Sequence, residues 1–297
     1  MNERWRYGGL LGLLGIGWGA TQPLGKIATS TGYGNFGLIF WQALIGALVL
    51  GIILLLRRKS VPLNRRSLGF ATIVALIGTI IPNSTFYISV AHLPAGIMSI
   101  LISTIPLISF PMALALRMDQ FSGRRLLGIV CGLIAVALIA LPKASLAPGM
   151  AAWLPLAMIG PFFYAIEGNF VAKWGTAGLD AMQAMFLASL AAALVDLPLV
   201  ILTGQWISPL PPYGWPELAL ILSSSLHALL YMGYVWLAAR AGAVFAAQTG
   251  YVVTASGVFW AMLILGERFS QLIWIALIVL FLGLSLVMPR PRKAASV

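Results

Sequence analysis

The sequence predicts an all-α integral membrane protein with ten transmembrane helices, arranged as two inverted five-helix repeats around a central cavity. Apolar runs of about 20 residues, the length that crosses a bilayer, recur almost without a break from Tyr7 to Met288. Lysine and arginine cluster in the short segments between these runs, and the two halves of the chain share a weak repeat. A membrane β-barrel would instead show alternating segments of about ten residues, which are absent from the sequence.

Polar residues, prolines and glycines divide the apolar runs into ten expected spans. The first run follows Arg4 and Arg6 and so has the layout of a secretory signal. Bulky Trp18 stands just before any cleavage after Ala20, and we therefore expect the run to be retained as a membrane helix. The expected spans are 7–27, 36–56, 67–90, 94–116, 122–141, 151–172, 180–203, 215–238, 242–264 and 268–288.

The positive charges predict the orientation of these spans. With a cytoplasmic N-terminus, the inside segments hold 15 of the 18 lysines and arginines, including the basic tail from Arg290 to Lys293. Lys26, Lys143 and Arg268 fall outside. Because cytoplasmic loops are rich in lysine and arginine, both termini are expected in the cytoplasm.

Charge, cysteine content and motifs exclude several classes of protein. The net charge of +11 comes from short clusters between apolar runs, as in cytoplasmic loops, and predicts no nucleic-acid partner. Cys131 is the only cysteine, so no internal disulfide or thiolate metal site is expected. The sequence has no HExxH, GxSxG or GxxxxGK[ST] motif, and we expect neither an enzyme nor a cofactor or metal.

The repeat divides the chain into residues 1–143 and residues 144–297. "YISVAHLPAGIMS", from Tyr87, aligns with "YVWLAARAGAVFA", from Tyr234, at an offset of 147. One further residue of offset pairs "MDQFS" (118–122) with "GERFS" (266–270). Since each half holds five spans, an odd number, the second half enters the membrane in the opposite sense. Inverted repeats of this kind are typical of secondary transporters that work by alternating access.

Three stretches carry a family resemblance: "WGATQPLGK" (18–26), "LPAG" (93–96) and "LILGERFS" (263–270). They resemble the drug/metabolite transporter superfamily in its ten-helix, EamA-type branch, and within it the aromatic amino-acid exporters. In that branch each half has a W-G…K-like first helix and a G-E-x-[LF]-[ST] turn before its fifth helix. The first half departs from this pattern with Met118 and Asp119, and the sixth span keeps only an aromatic residue and Lys173.

The resemblance implies a monomeric exporter in the bacterial inner membrane, with the lipid bilayer and a small solute as its partners. The implied solutes are aromatic amino acids such as phenylalanine, tryptophan and tyrosine, with threonine, methionine and related metabolites as further candidates. The alternative is a proton-coupled exporter of lipophilic cations. Without a nucleotide-binding loop, transport is expected to follow the solute gradient or exchange with an ion, and the sequence leaves the two open.

Polar residues interrupt the first span and form the first candidate group for solute binding. Trp18, Thr21 and Gln22 lie beside closely spaced glycines and just before Pro23, which removes a backbone donor. GxxxG spacings allow another helix to approach closely, and polar groups near a weakened helix suit the border of a water-filled route. A kinked helix whose polar side chains bond its own backbone explains the same residues.

Glu167 is the second candidate, because a carboxyl group within a membrane span is costly and is often functional. It could bind a substrate ammonium or carry a proton, with Tyr164 as an aromatic neighbour. The alternative is a carboxylate that water reaches or that pairs with Lys173. Asp196, in the seventh span, is a weaker candidate of the same kind.

A third group joins the third and eighth spans. His227 and Tyr231 lie one helical turn apart, and the repeat places Asn83 and Tyr87 in the equivalent span. Aromatic and polar side chains together suit an aromatic, zwitterionic solute, although a lone membrane histidine is as often structural. Tyr234 borders the same face of the eighth span, and the supporting candidates are Ser99, Ser103, Thr104, Gln248 and Tyr251.

Structural roles are expected for the acidic turns that precede the fifth and tenth spans. Glu267 and Ser270 have the pattern of an acidic turn and N-cap for the last helix, as Asp119 and Ser122 have for the fifth.

Overall fold

A computed structural model describes residues 3–141, 146–147, 149–241, 245–246 and 248–287, and within them the regular structure is helical. Lys143 and the basic tail from Arg290 to Lys293 lie outside these residues. The helical stretches are α1 (Glu3–Ala28), α2 (Asn35–Leu56), α3 (Arg65–His92), α4 (Ala95–Ala115), α5 (Gly123–Ala140), α6 (Met150–Trp174), α7 (Ala181–Leu202), α8 (Trp215–Ala241), α9 (Thr249–Leu265) and α10 (Gln271–Val287).

Each predicted span corresponds to one of these stretches, and most ends agree within a few residues. The predicted start of the ninth span, at 242, lies outside the described residues, and α9 is described from Thr249. Among the described residues, seven helices are long and apolar enough to cross a membrane, while α9 and α10 are shorter apolar helices. The helix α1 is not among the seven. A multi-pass membrane protein is therefore confirmed, and the count of ten spans stays a prediction.

Helix packing follows a two-fold pattern. The helix α1 packs against α8 and α9, and α6, five helices later, packs against α3 and α4. Likewise α2 packs against α8 while α3 packs against α7. Two pairs contain a helix and its own counterpart, α2 with α7 and α5 with α10. This is the pattern expected if each helix of the first half has an equivalent in the second. The predicted division after residue 143 falls outside the described residues.

Glycines bring α1 into close contact with α9. A Cβ added at Gly15 would meet the Val252 side chain, and one added at Gly19 would meet Ser256 and the backbone of Gly257. The Ser256 hydroxyl also donates a hydrogen bond to the Gly15 carbonyl, at 3.0 Å. The first helix has two GxxxG spacings, Gly8–Gly12 and Gly15–Gly19, and the second is the one that packs against another helix.

The helices α3 and α4 each depart from regular α geometry near their middle. Residues Ala75–Ile80 of α3 form a π-helical segment. In α4 the helix is interrupted between Ile102 and Ile105, ahead of a proline. The Thr104 hydroxyl donates to the Leu101 carbonyl at 2.6 Å, which keeps a backbone acceptor satisfied at membrane depth.

The N-terminus of α7 is tied to the loop between α2 and α3. Asp180 and Gln183 form a capping box, Asp180 pairs with Lys59, and the Gln183 amide donates to the Ser60 carbonyl at 2.7 Å. Burial alone would raise the pKa of Asp180, but Lys59 and the α7 backbone N–H groups hold it below its ordinary value. A carboxyl with a lowered pKa stabilises the fold above its ordinary pKa, and this contribution is lost as the pH falls through the folded value.

The close approach of α1 and α9 predicts a position-dependent effect of substitution. Gly19→Val should lower the free energy of unfolding by about 1–3 kcal/mol, because the new side chain collides with α9. Gly12→Val is the matched control, because a Cβ at Gly12 has no atom within 4 Å. Thermal unfolding in detergent measures both variants. Equal destabilisation by the two would contradict this packing.

Candidate functional site

A cavity of about 720 Å³ lies within the helical bundle, lined mainly by α1, α3, α4, α8 and α9, with single contributions from α2, α5 and α6 and two residues of α10. One end reaches Asp119 and Arg125, near the loop between α4 and α5; we call this end of the bundle the α4–α5 face. Eleven of the predicted site residues line the cavity. They are Trp18, Thr21, Gln22, Asn83, Tyr87, Ser103, Tyr164, His227, Tyr231, Tyr234 and Tyr251.

Other predicted residues lie elsewhere. Ser99 is fully buried between α4 and α9, where a Cβ added at Gly257 would meet its hydroxyl. Gln248 is exposed at the N-cap position of α9 and makes no capping hydrogen bond with its side chain. Glu167 lies behind the cavity wall, with its carboxylate against Gly78 in the π-helical segment of α3.

The surroundings of Glu167 leave its carboxylate without a direct partner among the described residues. Lys173, the partner that the sequence offered, donates instead to the Leu116 carbonyl at 3.4 Å. Gly78 provides the room that the carboxylate occupies, since any larger residue would collide with it. The phenols of Tyr164 and Tyr231, both on the cavity wall, are near enough to be influenced by the Glu167 charge.

One side of the cavity is aromatic and is organised around Trp18. The indole Nε1–H donates to Nδ1 of His227 at 3.0 Å, which joins α1 to α8. Because Nδ1 accepts this bond, the proton of a neutral His227 lies on Nε2, which remains a donor. The Trp18 ring also meets Tyr231 and Tyr234 edge-on, with centroids 6.4 and 5.7 Å apart. Trp18 is thus both a cavity wall and a packing residue.

The other side carries amide groups. Tyr164 donates to Oδ1 of Asn83 at 3.2 Å, and Tyr87 donates to Oε1 of Gln42 at 2.7 Å. Gln22 is 7% exposed, yet its Oε1 has no hydrogen-bond partner among the described residues. That oxygen is itself shielded from the cavity interior, so a solute would reach it only after the Gln22 side chain turns. The Thr21 hydroxyl is already used, because it donates to the Trp18 carbonyl at 2.7 Å.

Sequence reasoning missed several residues of the cavity wall. Gln42 stands in the long apolar run of the second span, where a single polar residue gives little signal. Asp119 and Arg125 were interpreted as loop and topology residues, but they pair with each other, and the guanidinium lies 5.0 Å from the centre of the Phe110 ring. Among the described residues of the wall, this ion pair supplies the charged side chains. Other missed wall residues are Phe86, Ser109, Ser223 and Thr249.

A profile of the EamA-like transporter family matches residues 6–141 and again residues 151–288. The chain belongs to the EamA-like transporter family. The protein is therefore a membrane transporter of small metabolites and not an enzyme. The two matches correspond to the two predicted repeats, within which α1–α5 and α6–α10 fall.

Comparison with solved structures supports the same fold. One chain, whose title reads "Crystal structure of protein", superposes with a TM-score of 0.65 at 16% identity. The superposition covers 93% of this chain and 94% of the other. At this identity the likeness concerns the fold alone. No curated protein matches the transporter.

Thr21 lies on the cavity wall and Ser99 does not. We therefore predict that cysteines introduced at these two positions react at different rates. In a Cys131→Ser background, Thr21→Cys should react with a water-soluble methanethiosulfonate reagent at least several-fold faster than Ser99→Cys. Thr21 lines the cavity, whereas Ser99 is 0% exposed, and thiol reactivity requires access. Mass spectrometry of the detergent-purified protein measures both rates, and equal rates would contradict the placement of the cavity.

Proposed function

We propose that this transporter exports aromatic amino acids and related small metabolites across the bacterial inner membrane, as a monomer with both termini in the cytoplasm. The observation that carries the proposal is the composition of the cavity wall. It combines aromatic rings with neutral amide and hydroxyl groups, and its charged side chains are an ion pair at one end.

The wall offers complementary groups for each part of such a solute. The rings around Trp18 can stack with an aromatic side chain. The amide groups on the wall, those of Gln22, Gln42 and Asn83, can supply acceptors for the ammonium group. The Nε2–H of His227 and the hydroxyl of Tyr231 can donate to the carboxylate. The cavity volume of about 720 Å³ lies within the range of small-molecule sites, with room for water beside an amino acid.

The alternative, a proton-coupled exporter of lipophilic cations, has less support from the geometry. A cation site usually places a carboxylate inside an aromatic cage. Glu167 lies behind the described wall, and Asp119 is already paired with Arg125. A carrier of organophosphates would need several basic groups on the wall, where Arg125 is the one among the described residues.

The first test of the proposal is uptake of labelled phenylalanine into proteoliposomes. We expect saturable uptake by the wild-type protein. Trp18→Leu removes both the ring and the bond to His227 and should weaken solute binding by about tenfold, which corresponds to about 1.4 kcal/mol.

Trp274→Leu is the matched control, because Trp274 lies in α10, is 42% exposed and does not line the cavity. Absence of phenylalanine uptake, together with uptake of a lipophilic cation such as tetraphenylphosphonium, would overturn the amino-acid assignment in favour of the alternative.

A second test concerns the driving force, and we propose Glu167 as the proton-binding group. Glu167→Gln should abolish the response of uptake to an imposed pH gradient while exchange between labelled and unlabelled phenylalanine continues. Asp196→Asn is the control, since Asp196 is a fully buried carboxyl of α7 that does not line the cavity. Wild-type uptake that ignores the gradient would identify a facilitative carrier and remove Glu167 from this role.

A further inference from the structure

The turn between α9 and α10 is docked onto the N-terminus of α4. The Glu267 carboxylate accepts hydrogen bonds from the backbone N–H groups of Ala95, at 2.7 Å, and Gly96, at 3.0 Å. The Phe269 ring packs directly against Gly96, where a Cβ would collide with it. The turn belongs to the second half of the chain and α4 to the first, so this contact joins the two halves.

Lys26 secures the end of α3 at the same place. Its ammonium donates to the carbonyls of Val90, at 2.9 Å, and Leu93, at 2.6 Å. A helix C-terminus carries a partial negative charge and a helix N-terminus a partial positive charge. The Lys26 ammonium at the end of α3 and the Glu267 carboxylate at the start of α4 are therefore both stabilised by the helix dipoles. We call this end of the bundle, with Lys26, Leu93 and Glu267, the α3–α4 face.

These contacts lie at the α3–α4 face, outside the cavity wall. Gly25 lines the cavity, but its neighbour Lys26 does not, and neither Glu267 nor Phe269 reaches the wall. At the other end, the wall extends to Asp119 and Arg125 on the α4–α5 face. The docked turn and the bound lysine therefore lie between the cavity and one side of the membrane.

The sequence repeat supplies a second copy of the same three residues. The offset of 147 places Lys173 at the position of Lys26, and the offset of 148 places Asp119 and Phe121 at the positions of Glu267 and Phe269. All three counterparts belong to the α4–α5 face, since Lys173 reaches the Leu116 carbonyl at the end of α4.

Among the described residues, the second copy makes fewer contacts; residues 242 and 243, at the positions of Ala95 and Gly96, lie outside them. Phe121 is 70% exposed, whereas the Phe269 ring packs against Gly96. Lys173 is exposed, makes one long hydrogen bond and lies 5.1 Å from the centre of the Trp174 ring, and Asp119 pairs with Arg125 beside the cavity. Within the described part of the chain, the same set of residues is thus packed on one face and more exposed on the other.

We propose that the two turns are alternating locks of the transport cycle. In the conformation described, Lys26, Glu267 and Phe269 hold the α3–α4 face closed. In the opposite conformation they release, Asp119 leaves Arg125, and Phe121 and Lys173 dock at the end of α8. The same register places the carbonyls of Leu237 and Arg240 where Lys26 now finds those of Val90 and Leu93. The inference depends on alternating access but not on the identity of the solute.

The test uses the two phenylalanines as a matched pair. Thr21→Cys in the Cys131→Ser background reports access to the cavity, and a membrane-impermeant thiol reagent is applied to spheroplasts and, separately, to inverted membrane vesicles. The parent protein should be labelled from the α4–α5 face. Phe269→Ala should raise labelling from the α3–α4 face by about tenfold or more. The substitution destabilises the conformation in which the α3–α4 face is closed, because only there is the Phe269 ring packed.

Phe121→Ala should leave labelling from the α4–α5 face intact, because its ring is already exposed in that conformation. The double variant should return towards the parent pattern, because both conformations then lose an equivalent contact. Glu267→Gln, which keeps the side-chain size but removes its charge, should shift labelling in the same direction as Phe269→Ala.

Three results would overturn the proposal: equal effects of Phe269→Ala and Phe121→Ala, labelling that Glu267→Gln leaves unchanged, or a double variant that labels like Phe269→Ala alone. Simple misfolding of Phe269→Ala would expose the reporter from both faces, and a second substitution would not reverse it. Because no solute is used, failure of the amino-acid assignment leaves this result unaffected.

Discussion

The cavity depends on the close packing of α1 against α9. Backbones can approach this closely only where side chains are missing, as at Gly15, Gly19 and Gly257. With that face of α1 held against α9, Trp18 lies towards α8, where it bonds His227, and Gln22 lines the interior. The polar residues of the first span therefore reach the solute path because glycines determine which face of the helix packs.

A second constraint is the need to satisfy every backbone polar group inside the bilayer. The irregular parts of α3 and α4 meet it in different ways. The π-helical segment of α3 keeps its helical bonding and provides room at Gly78 for a carboxylate. The interruption in α4 uses the hydroxyls of Ser103 and Thr104, which donate to carbonyls one turn earlier. The π-helical segment of α3 lies beside Glu167, and the interruption of α4 lies beside the cavity. Each irregular segment therefore lies next to a polar group inside the bundle.

The sequence predicted the helices well because apolar runs and their breaks are local signals. The wall residues of α1, α3 and α8 were also predictable, because polar groups stand out in apolar helices. Gln42 was missed because one polar residue in a long apolar run does not indicate which face it occupies. Ser99 was misplaced because α4 carries several small hydroxyl residues, and their spacing does not show which of them face the cavity. The role predicted for Glu267, a turn before the last helix, was incomplete, because its carboxylate binds α4, which is 171 residues away in sequence.

The chain repeats its sequence pattern, yet the structure uses the two copies differently. Phe269 and Phe121 occupy equivalent positions, and one is packed while the other is exposed to its surroundings. Phe121 is exposed and Lys173 makes one long hydrogen bond, whereas Phe269 is packed and Lys26 makes two shorter ones. In the proposed cycle, docking both turns at once would isolate the cavity from both sides. Under that proposal the repeat favours two conformations of comparable energy, because whichever face opens loses the contacts that the other face gains.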